Sequence, residues 1–295
     1  MQPASRYNAA VEENPDFDPA AHTLESLQAW NETAASYEAL SNRLFTRTAE
    51  QFVEFAGLKK GWRVLDVACG PGVASRAAAA RIGERGSLMA VDLAPLMIDR
   101  ARQAPAPARA APIEWAVMDA HALKVPDASF DAVVSQLGLM LFAQPDVAMA
   151  EMRRAAKPGA IVACLVQGRR EKMLFTSLVL HAILERDPSL KAAPGAPTLY
   201  AFGPDGAMEQ TFARADLLEI STKRLTGTFR FSSPEDYWTT MTEGSGRTGA
   251  LLRRLSAANQ AWVKKTVLRR AAKNQSGGAI EVPYEFMMAR GYKNG

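Results

Sequence analysis

One stretch constrains the fold of this chain more than any other: RVLDVACGPGVASRAAAA, residues 63–80. A β-prone apolar run leads into a turn with two glycines and a proline, and an alanine-rich run that favours a helix follows. In an open α/β sheet, ligands bind at the carboxyl end of a strand, where the chain turns into the next helix. Glycines at such a turn let the backbone approach a ligand closely. The stretch therefore predicts a strand, a ligand-binding turn and a helix.

Strand-like and helix-like runs alternate over residues 61–168, which predicts right-handed βαβ units around a parallel sheet. Before them, apolar residues at three- and four-residue spacing predict helical structure over residues 24–57. After residue 168 we expect an apolar helix, a Pro/Gly-rich loop and two late strands. We divide the chain into an N-terminal helical segment (1–60), a ligand-binding core (61–168), an inserted substrate cap (169–245) and a C-terminal helix and strand that complete the sheet (246–295).

The position of Asp66, four residues before Gly70, indicates the charge of the ligand. A carboxylate beside a pyrophosphate is unfavourable, whereas beside an ammonium group it makes a charge-assisted hydrogen bond of about 1.5–3 kcal/mol. Ser75 stands where the dinucleotide-binding fingerprint requires its third glycine. Asp92 follows Gly72 at about the 20-residue distance of a ribose-binding acid. These residues predict a nucleoside ligand with an ammonium end.

The run VLDVACGPG resembles the first motif of the class I S-adenosylmethionine-dependent methyltransferases, Asp-x-Gly-x-Gly-x-Gly, with Ala68 in the place of the first glycine. Four further segments resemble the later motifs in the order of that family: VDLAP, VMDAHAL, FDAVVSQLGLMLF and RRAAKPGAIVAC. The resemblance covers residues 61–168. The run from Trp30 to Tyr37 and the segment FSSPEDYW are similar to the ubiquinone/menaquinone C-methyltransferase-like branch.

The resemblance implies an α/β fold: a Rossmann-like, mostly parallel seven-stranded sheet flanked by helices, with N-terminal helices and an inserted helical cap. It implies S-adenosylmethionine as the cofactor, with Asp66 on the ammonium group, Asp92 on the ribose hydroxyls and Asp119 near the adenine. The full set of expected cofactor-binding residues is Asp66, Ala68, Gly70, Gly72, Asp92, Leu93, Asp119, Ala120 and Gln136.

The methyl acceptor is harder to predict, because transfer from a sulfonium needs alignment and water exclusion more than a dedicated base. We expect no metal site, and His121 and Tyr37 are the candidate catalytic residues. The candidate substrate pocket consists of Trp30, Tyr37, Phe175 and Trp238. We predict a small, moderately apolar acceptor, aromatic or isoprenoid, that is methylated at carbon or oxygen. The run VSQLG stands where an N-methylation motif would be, which weighs against methylation of amino groups on nucleic-acid bases.

Other functions stay open at this point: a nucleic-acid or protein methyltransferase, a nicotinamide-dependent oxidoreductase, and a non-catalytic scaffold on the same fold. The net charge of +4 is small for nucleic-acid binding. No apolar run approaches the roughly 18 residues of a membrane span. Neither Cys69 nor Cys164 has the neighbours of a zinc site. We expect a cytoplasmic protein with a small-molecule substrate, no nucleic-acid partner and no membrane span; a homodimer stays open.

The last predicted helix, residues 248–273, has a basic face. Four cations fall within one third of its circumference: Arg253, Arg254, Lys264 and Lys265. The opposite, apolar face is predicted to contain Leu252, Leu255, Trp262 and Val263. We interpret the basic face as solvated, with the steering of an acidic substrate or a nucleic acid as the alternative.

Overall fold

A computed structural model describes residues 17–295, which begin with three helices. These are α1 (Pro19–Glu32), α2 (Ala34–Leu44) and α3 (Thr46–Ala56). Asp18 caps α1, because its carboxylate accepts the backbone N–H of Ala20 at 2.8 Å. The third helix ends at Gly57, whose φ of 73° is the left-handed conformation common after a helix. The first sixteen residues of the predicted N-terminal segment lie outside the described residues.

The core alternates strands and helices, as the sequence predicts. Its elements are β1 (Arg63–Val67), α4 (Val73–Ile82), β2 (Ser87–Asp92), α5 (Pro95–Gln103), β3 (Ile113–Val117), β4 (Phe130–Gln136), α6 (Pro145–Ala155) and β5 (Ala156–Gln167). Strands β3, β2, β1, β4 and β5 pair in that order, and every pair is parallel. The side chains of Val64, Leu65 and Val67 are fully buried, as expected for a central strand covered on both faces.

The chain then leaves the parallel sheet and returns to its edge. The elements that follow are α7 (Leu174–Arg186), α8 (Ala207–Arg214), β6 (Leu217–Phe231), α9 (Pro234–Glu243), α10 (Gly246–Arg253), α11 (Ala257–Ala271), β7 (Gln275–Ser276) and β8 (Ala279–Lys293). Strand β8 pairs antiparallel with both β5 and β6. The order β3-β2-β1-β4-β5-β8-β6 confirms the mostly parallel Rossmann-like sheet, and the two-residue β7 adds an eighth, minor strand.

One of the two late strands predicted from the sequence, β6, lies within the segment assigned to the cap, 169–245, and a long register with β8 places it in the sheet. One helix boundary differs from the sequence prediction. The helix predicted over 248–273 is broken into α10 and α11, because Ser256 is extended and its hydroxyl accepts the Asn259 N–H as a new N-cap. The break changes the helical phase, and Trp262, predicted on the apolar face, is 39% exposed.

A buried ion-pair cluster joins the loop after β5 to the antiparallel edge of the sheet. Glu285 on β8 is 1% exposed. It accepts hydrogen bonds from Arg169 at 2.7 Å and from Arg224 on β6 at 2.8 Å. Since removing one partner of a buried ion pair leaves an uncompensated charge, this cluster fixes the point at which the chain leaves the parallel sheet.

Gly72 is required by packing as well as by backbone conformation. It has a φ of 83° and precedes the first residue of α4. A Cβ at this position would lie 2.4 Å from the Trp115 ring on β3. Gly159 provides a comparison, because it has a φ of 73° but no atom within 4 Å of the corresponding Cβ.

We expect Gly72→Ala to lower the free energy of unfolding by about 2–5 kcal/mol. Left-handed strain contributes about 1–2 kcal/mol, and the forced movement of Trp115 adds a further 1–3 kcal/mol or so. The matched control, Gly159→Ala, should lose only the strain, about 1–2 kcal/mol. Urea denaturation of the ligand-free proteins measures both. Equal losses would mean that Trp115 does not constrain this turn.

Candidate active site

A cleft opens at the carboxyl ends of β1, β2, β3 and β4, beneath helices α1 and α2. It encloses ≈ 970 Å³ of space, part of it open to solvent, at the upper end of the usual range for a small-molecule site. Most of the residues predicted from the sequence line it: Trp30, Tyr37, Asp66, Ala68, Gly70, Asp92, Leu93, Asp119, Ala120, His121 and Gln136. They come from distant parts of the chain because the carboxyl ends of parallel strands meet at one edge of the sheet.

Asp66 is a buried carboxylate with one free acceptor. One oxygen, Oδ2, accepts the hydroxyl of Ser75 on α4 at 2.5 Å. The other, Oδ1, is buried without a hydrogen-bond partner. Burial raises the pKa of Asp66 to about 7, although the bond from Ser75 acts in the opposite direction. Ser75, which occupies the place of the third dinucleotide glycine, therefore holds this carboxylate in position.

Asp92 connects the turn after β1 to the end of β2. Its Oδ2 accepts the backbone N–H of Gly70 at 2.8 Å, and its Oδ1 accepts that of Ala94 at 2.9 Å. Burial raises the pKa of Asp92, and the backbone hydrogen bonds oppose that shift. Each carboxylate oxygen can accept a second hydrogen bond, so Asp92 can still receive two hydroxyl donors.

Ala68 and Leu137 have left-handed backbone conformations in the wall of the cleft. Their φ angles are 59° and 62°. Such a conformation costs a residue with a Cβ about 1–2 kcal/mol, which explains why a glycine suits the first position of this motif. Leu137 was not predicted from the sequence, and strain of this kind occurs most often at ligand sites.

The ring of His121 is held between two fixed groups. Its Nδ1 lies 2.6 Å from Oδ1 of Asp119, and its Nε2 accepts the backbone N–H of Gln144 at 3.2 Å. Because Nε2 accepts, the ring proton is on Nδ1, which donates to Asp119. Both ring nitrogens are therefore engaged, and this geometry does not favour the catalytic role predicted for His121.

Tyr37 borders the glycine turn. A Cβ on Gly70 would lie 3.6 Å from its ring, and Trp30 packs edge-on against it with centroids 5.0 Å apart. Burial and the nearby charge of Asp92 raise the pKa of Tyr37. The phenol therefore stays protonated at neutral pH, and the structure does not support its use as a base.

Three predicted residues do not line the cleft. Gly72 faces Trp115 on β3. Phe175 is 3% exposed and packs one layer behind, with its ring centroid 6.2 Å from that of Phe45, which does line the cleft. Trp238 is partly buried against the main core. Among residues 17–295 the lining runs from residue 22 to 143 and includes nothing from 169–245, because α7 and β6 pack on the antiparallel edge while α1 and α2 form the roof.

Besides Leu137, the apolar lining residues that sequence reasoning missed include Phe45, Met97, Leu141 and Phe142. Leu141 and Phe142 belong to the matched segment FDAVVSQLGLMLF, so the position of the loop after β4 was available as a signal. Phe45 lies between α2 and α3. In the sequence it fits the apolar spacing of any packed helix, and nothing there marks it as a cleft residue.

The residues present fit an aminoacyl nucleoside. The cleft contains three acids, Asp66, Asp92 and Asp119, and two buried acceptors have no partner, Oδ1 of Asp66 and Oε1 of Gln136. An ammonium group supplies the donors that such acceptors lack, whereas a pyrophosphate supplies none. Within residues 17–295 no three His, Cys, Asp or Glu side chains are grouped to bind a metal ion.

A family model described as a methyltransferase domain matches residues 64–159. The relatives include aklanonic acid methyltransferase DauC of Streptomyces sp. strain C5, 29% identical over 55% of this chain and 76% of its own. A protein of uncharacterised function from Mycobacterium bovis, Mb1438c, is 31% identical over 68% of this chain and 70% of its own. The chain belongs to the class I S-adenosylmethionine-dependent methyltransferases. The class predicted from the sequence is therefore confirmed, together with its cofactor, S-adenosylmethionine.

The predicted branch is also represented among the relatives of this methyltransferase. The ubiquinone/menaquinone biosynthesis C-methyltransferase UbiE of Bordetella avium is 31% identical over 50% of this chain and 59% of its own. A similar solved structure is phosphoethanolamine N-methyltransferase 2 of Haemonchus contortus in complex with S-adenosylhomocysteine. Its TM-score is 0.56 at 18% identity, over 92% of this chain and 59% of that one, which shows a shared fold.

Two substitutions should separate the roles of the two buried acids. Asp66→Asn removes the charge opposite the ammonium and should weaken S-adenosylhomocysteine binding by about 1.5–3 kcal/mol, roughly ten- to a hundredfold. It should matter far less for 5′-methylthioadenosine, which has no ammonium group. Asp92→Ala should weaken both ligands by similar factors, because both contain the ribose. Calorimetry on folded variants measures the four combinations, and parallel losses in all of them would contradict these assignments.

Cofactor binding should also depend on pH through Asp66. With a pKa of about 7, this carboxyl is largely protonated at pH 6 in the free protein and must lose its proton to pair with an ammonium. Affinity for S-adenosylhomocysteine should therefore fall by close to tenfold between about pH 7.5 and 6. Asp66→Asn should flatten this profile. The pH profile of 5′-methylthioadenosine affinity reports the part of the pH dependence that is due to Asp92. If the unsubstituted protein binds S-adenosylhomocysteine equally well across this range, titration of Asp66 does not control binding.

Proposed function

We propose that this methyltransferase transfers the methyl group of S-adenosylmethionine to carbon or oxygen of a small, moderately apolar acceptor with an aromatic or isoprenoid part. The observation that carries the proposal is the contrast within the cleft. Beyond the three acids, the wall has a large apolar and aromatic part, Trp30, Phe45, Leu141 and Phe142, with polar side chains such as His22 and Ser41 beside it. An acceptor that fits this wall is planar or hydrocarbon-like over most of its surface.

The side chains of this protein would bind and orient the reacting groups and exclude water from them. Asp66 would hold the ammonium group, Asp92 the ribose hydroxyls, and Asp119 with Ala120 the adenine end. The bound cofactor supplies a methyl group on a positively charged sulfur, which leaves as a neutral thioether. Trp30 and Phe142 would exclude water from the acceptor side, and alignment of this kind is worth several kcal/mol, up to about 7–11 kcal/mol, in favourable cases.

No side-chain base is part of the proposal. The two ring nitrogens of His121 are both engaged. The pKa of Tyr37 is raised by burial and by Asp92. An acceptor that is itself acidic, as a phenol, a carboxylic acid or an activated ring carbon is, can lose its proton to solvent before it enters the cleft. An acidic, apolar acceptor therefore suits this site best.

The names of the relatives support the same class of acceptor. One acts on aklanonic acid and another in ubiquinone and menaquinone biosynthesis, and we place this chain near that branch. The cofactor end of the cleft, with its three acids, disfavours a polyanionic nucleic acid. We propose a cytoplasmic enzyme that uses a small-molecule substrate and has no nucleic-acid partner; dimerisation is open. No helix within residues 17–295 is long and apolar enough to cross a bilayer.

Acceptor choice is proposed to lie with the roof and the loop after β4. The cap predicted over 169–245 would then act indirectly, through the contact of Phe175 with Phe45. The sequence instead predicts that the acceptor contacts Phe175 and Trp238 directly, and this assignment replaces that prediction.

The test is transfer of isotopically labelled methyl to a panel of phenols, aromatic acids and quinols, with RNA and denatured protein as competing acceptors. Phe142→Ala should lower kcat/KM for the best small acceptor by tenfold or more, since burial of such a ring is worth about 1.5–3 kcal/mol. Its affinity for S-adenosylhomocysteine should change less than about twofold. The matched control is Phe55→Ala, a half-buried ring on α3 outside the cleft, which should leave both quantities unchanged. Transfer to RNA or protein alone would refute the proposed acceptor class.

A further inference from the structure

The net positive charge of the chain comes from one segment. Residues 244–280 contain eight lysines and arginines and no acidic residue. The net charge of the whole chain is only +4, so the rest of the chain is net acidic. Segregation of this degree produces a local positive field that the total charge does not reveal.

The structure places part of this charge on the exposed face of α11. Val263, Val267 and Ala271 face the core and are fully buried. Trp262, Lys265 and Arg269 follow one another at three- and four-residue spacing and form one exposed stripe, with Lys264 at its border. We now use the name basic face for four residues of α11: Trp262, Lys264, Lys265 and Arg269. Arg253 and Arg254, which the sequence placed on the same face, lie before the helix break at Ser256.

The cations of the basic face have no acidic partner in the fold. Arg270 pairs with Glu185 at 2.7 Å, and Arg253 pairs with Glu32 at 3.3 Å. Within residues 17–295, Lys264, Lys265 and Arg269 make no ion pair. A fourth cation adds to the face, because the Arg186 guanidinium lies 5.7 Å from the centroid of the Trp262 ring.

An exposed tryptophan among unpaired cations fits the interface of an anionic bilayer. Indole rings are enriched at the headgroup level, and helices with lysines and arginines around such a ring bind anionic lipid surfaces. A nucleic acid would satisfy the cations too, and its binding is the competing outcome in the test of this proposal.

We propose that the basic face docks this enzyme on an anionic phospholipid bilayer. Helix α10, in the same acid-free segment, packs against α1, where a Cβ on Gly246 would lie 3.3 Å from the Trp30 ring that lines the cleft. Docking through α11 would hold the enzyme at a membrane phase in which an apolar acceptor is concentrated. Only this last step rests on the proposed function; the docking itself does not.

Vesicle co-sedimentation tests the docking. The full chain should bind vesicles of phosphatidylcholine and phosphatidylglycerol, should not bind pure phosphatidylcholine, and should be released by high salt, which screens exposed charges. Absence of binding to the anionic vesicles, or equal binding to both kinds, would overturn the proposal. S-adenosylhomocysteine affinity, measured on the same protein, is independent of this outcome, so a failure here is distinguishable from a failure of the proposed function.

Matched charge reversals identify the surface. The triple variant Lys264→Glu, Lys265→Glu, Arg269→Glu should lose roughly a hundredfold in vesicle affinity. The control triple variant Lys124→Glu, Lys191→Glu, Lys223→Glu changes the net charge equally at exposed sites elsewhere and should keep most of it. Trp262→Ala should lose severalfold. Equal losses in both triple variants, or binding of random-sequence DNA that is tighter than vesicle binding and lost in the first variant, would overturn the assignment to a bilayer.

Discussion

The hydrogen bond from the backbone N–H of Gly70 to Asp92 is the contact on which the cofactor site depends. It spans 2.8 Å and joins the turn after β1 to the end of β2. The turn reaches Asp92 only because the backbone is left-handed at Ala68, Gly70 and Gly72. The same turn starts α4, whose Ser75 holds Asp66. One backbone contact therefore positions both acids that a cationic nucleoside would meet.

This arrangement concentrates negative charge where no protein cation balances it. Burial raises the pKa values of both Asp66 and Asp92, and the charge of Asp92 raises that of Asp66 further. Together with the strained backbone at Ala68, these buried acids reduce the stability of the ligand-free protein. A ligand with an ammonium end relieves the repulsion, so selectivity for the cofactor and the instability of the empty site have the same cause.

The parts of the site that sequence predicts well are those set by local spacing along one strand edge. Asp66, Gly70 and Asp92 follow from the strand, the turn and the distance between acids. The positions of Phe175, Trp238 and Trp262 depend on tertiary packing and on a helix break at Ser256, which periodicity does not encode. The engagement of His121 depends on the backbone of Gln144, a contact between two loops that no local pattern shows.

The cofactor site and the acceptor wall differ in the same way: the first depends on strand ends and the second on tertiary packing. The proposed cofactor-binding side chains lie at the ends of adjacent parallel strands, where a shift of one residue would displace all of them. The acceptor wall comes from α1, from the junction of α2 and α3 and from the loop after β4, which pack on the sheet without belonging to it. Side chains there can change while Asp66 and Asp92 stay in place, and one fold can therefore serve many acceptors. The acceptor must be inferred from the wall itself, whose largest side chains, Trp30, Phe45, Leu141 and Phe142, are apolar or aromatic.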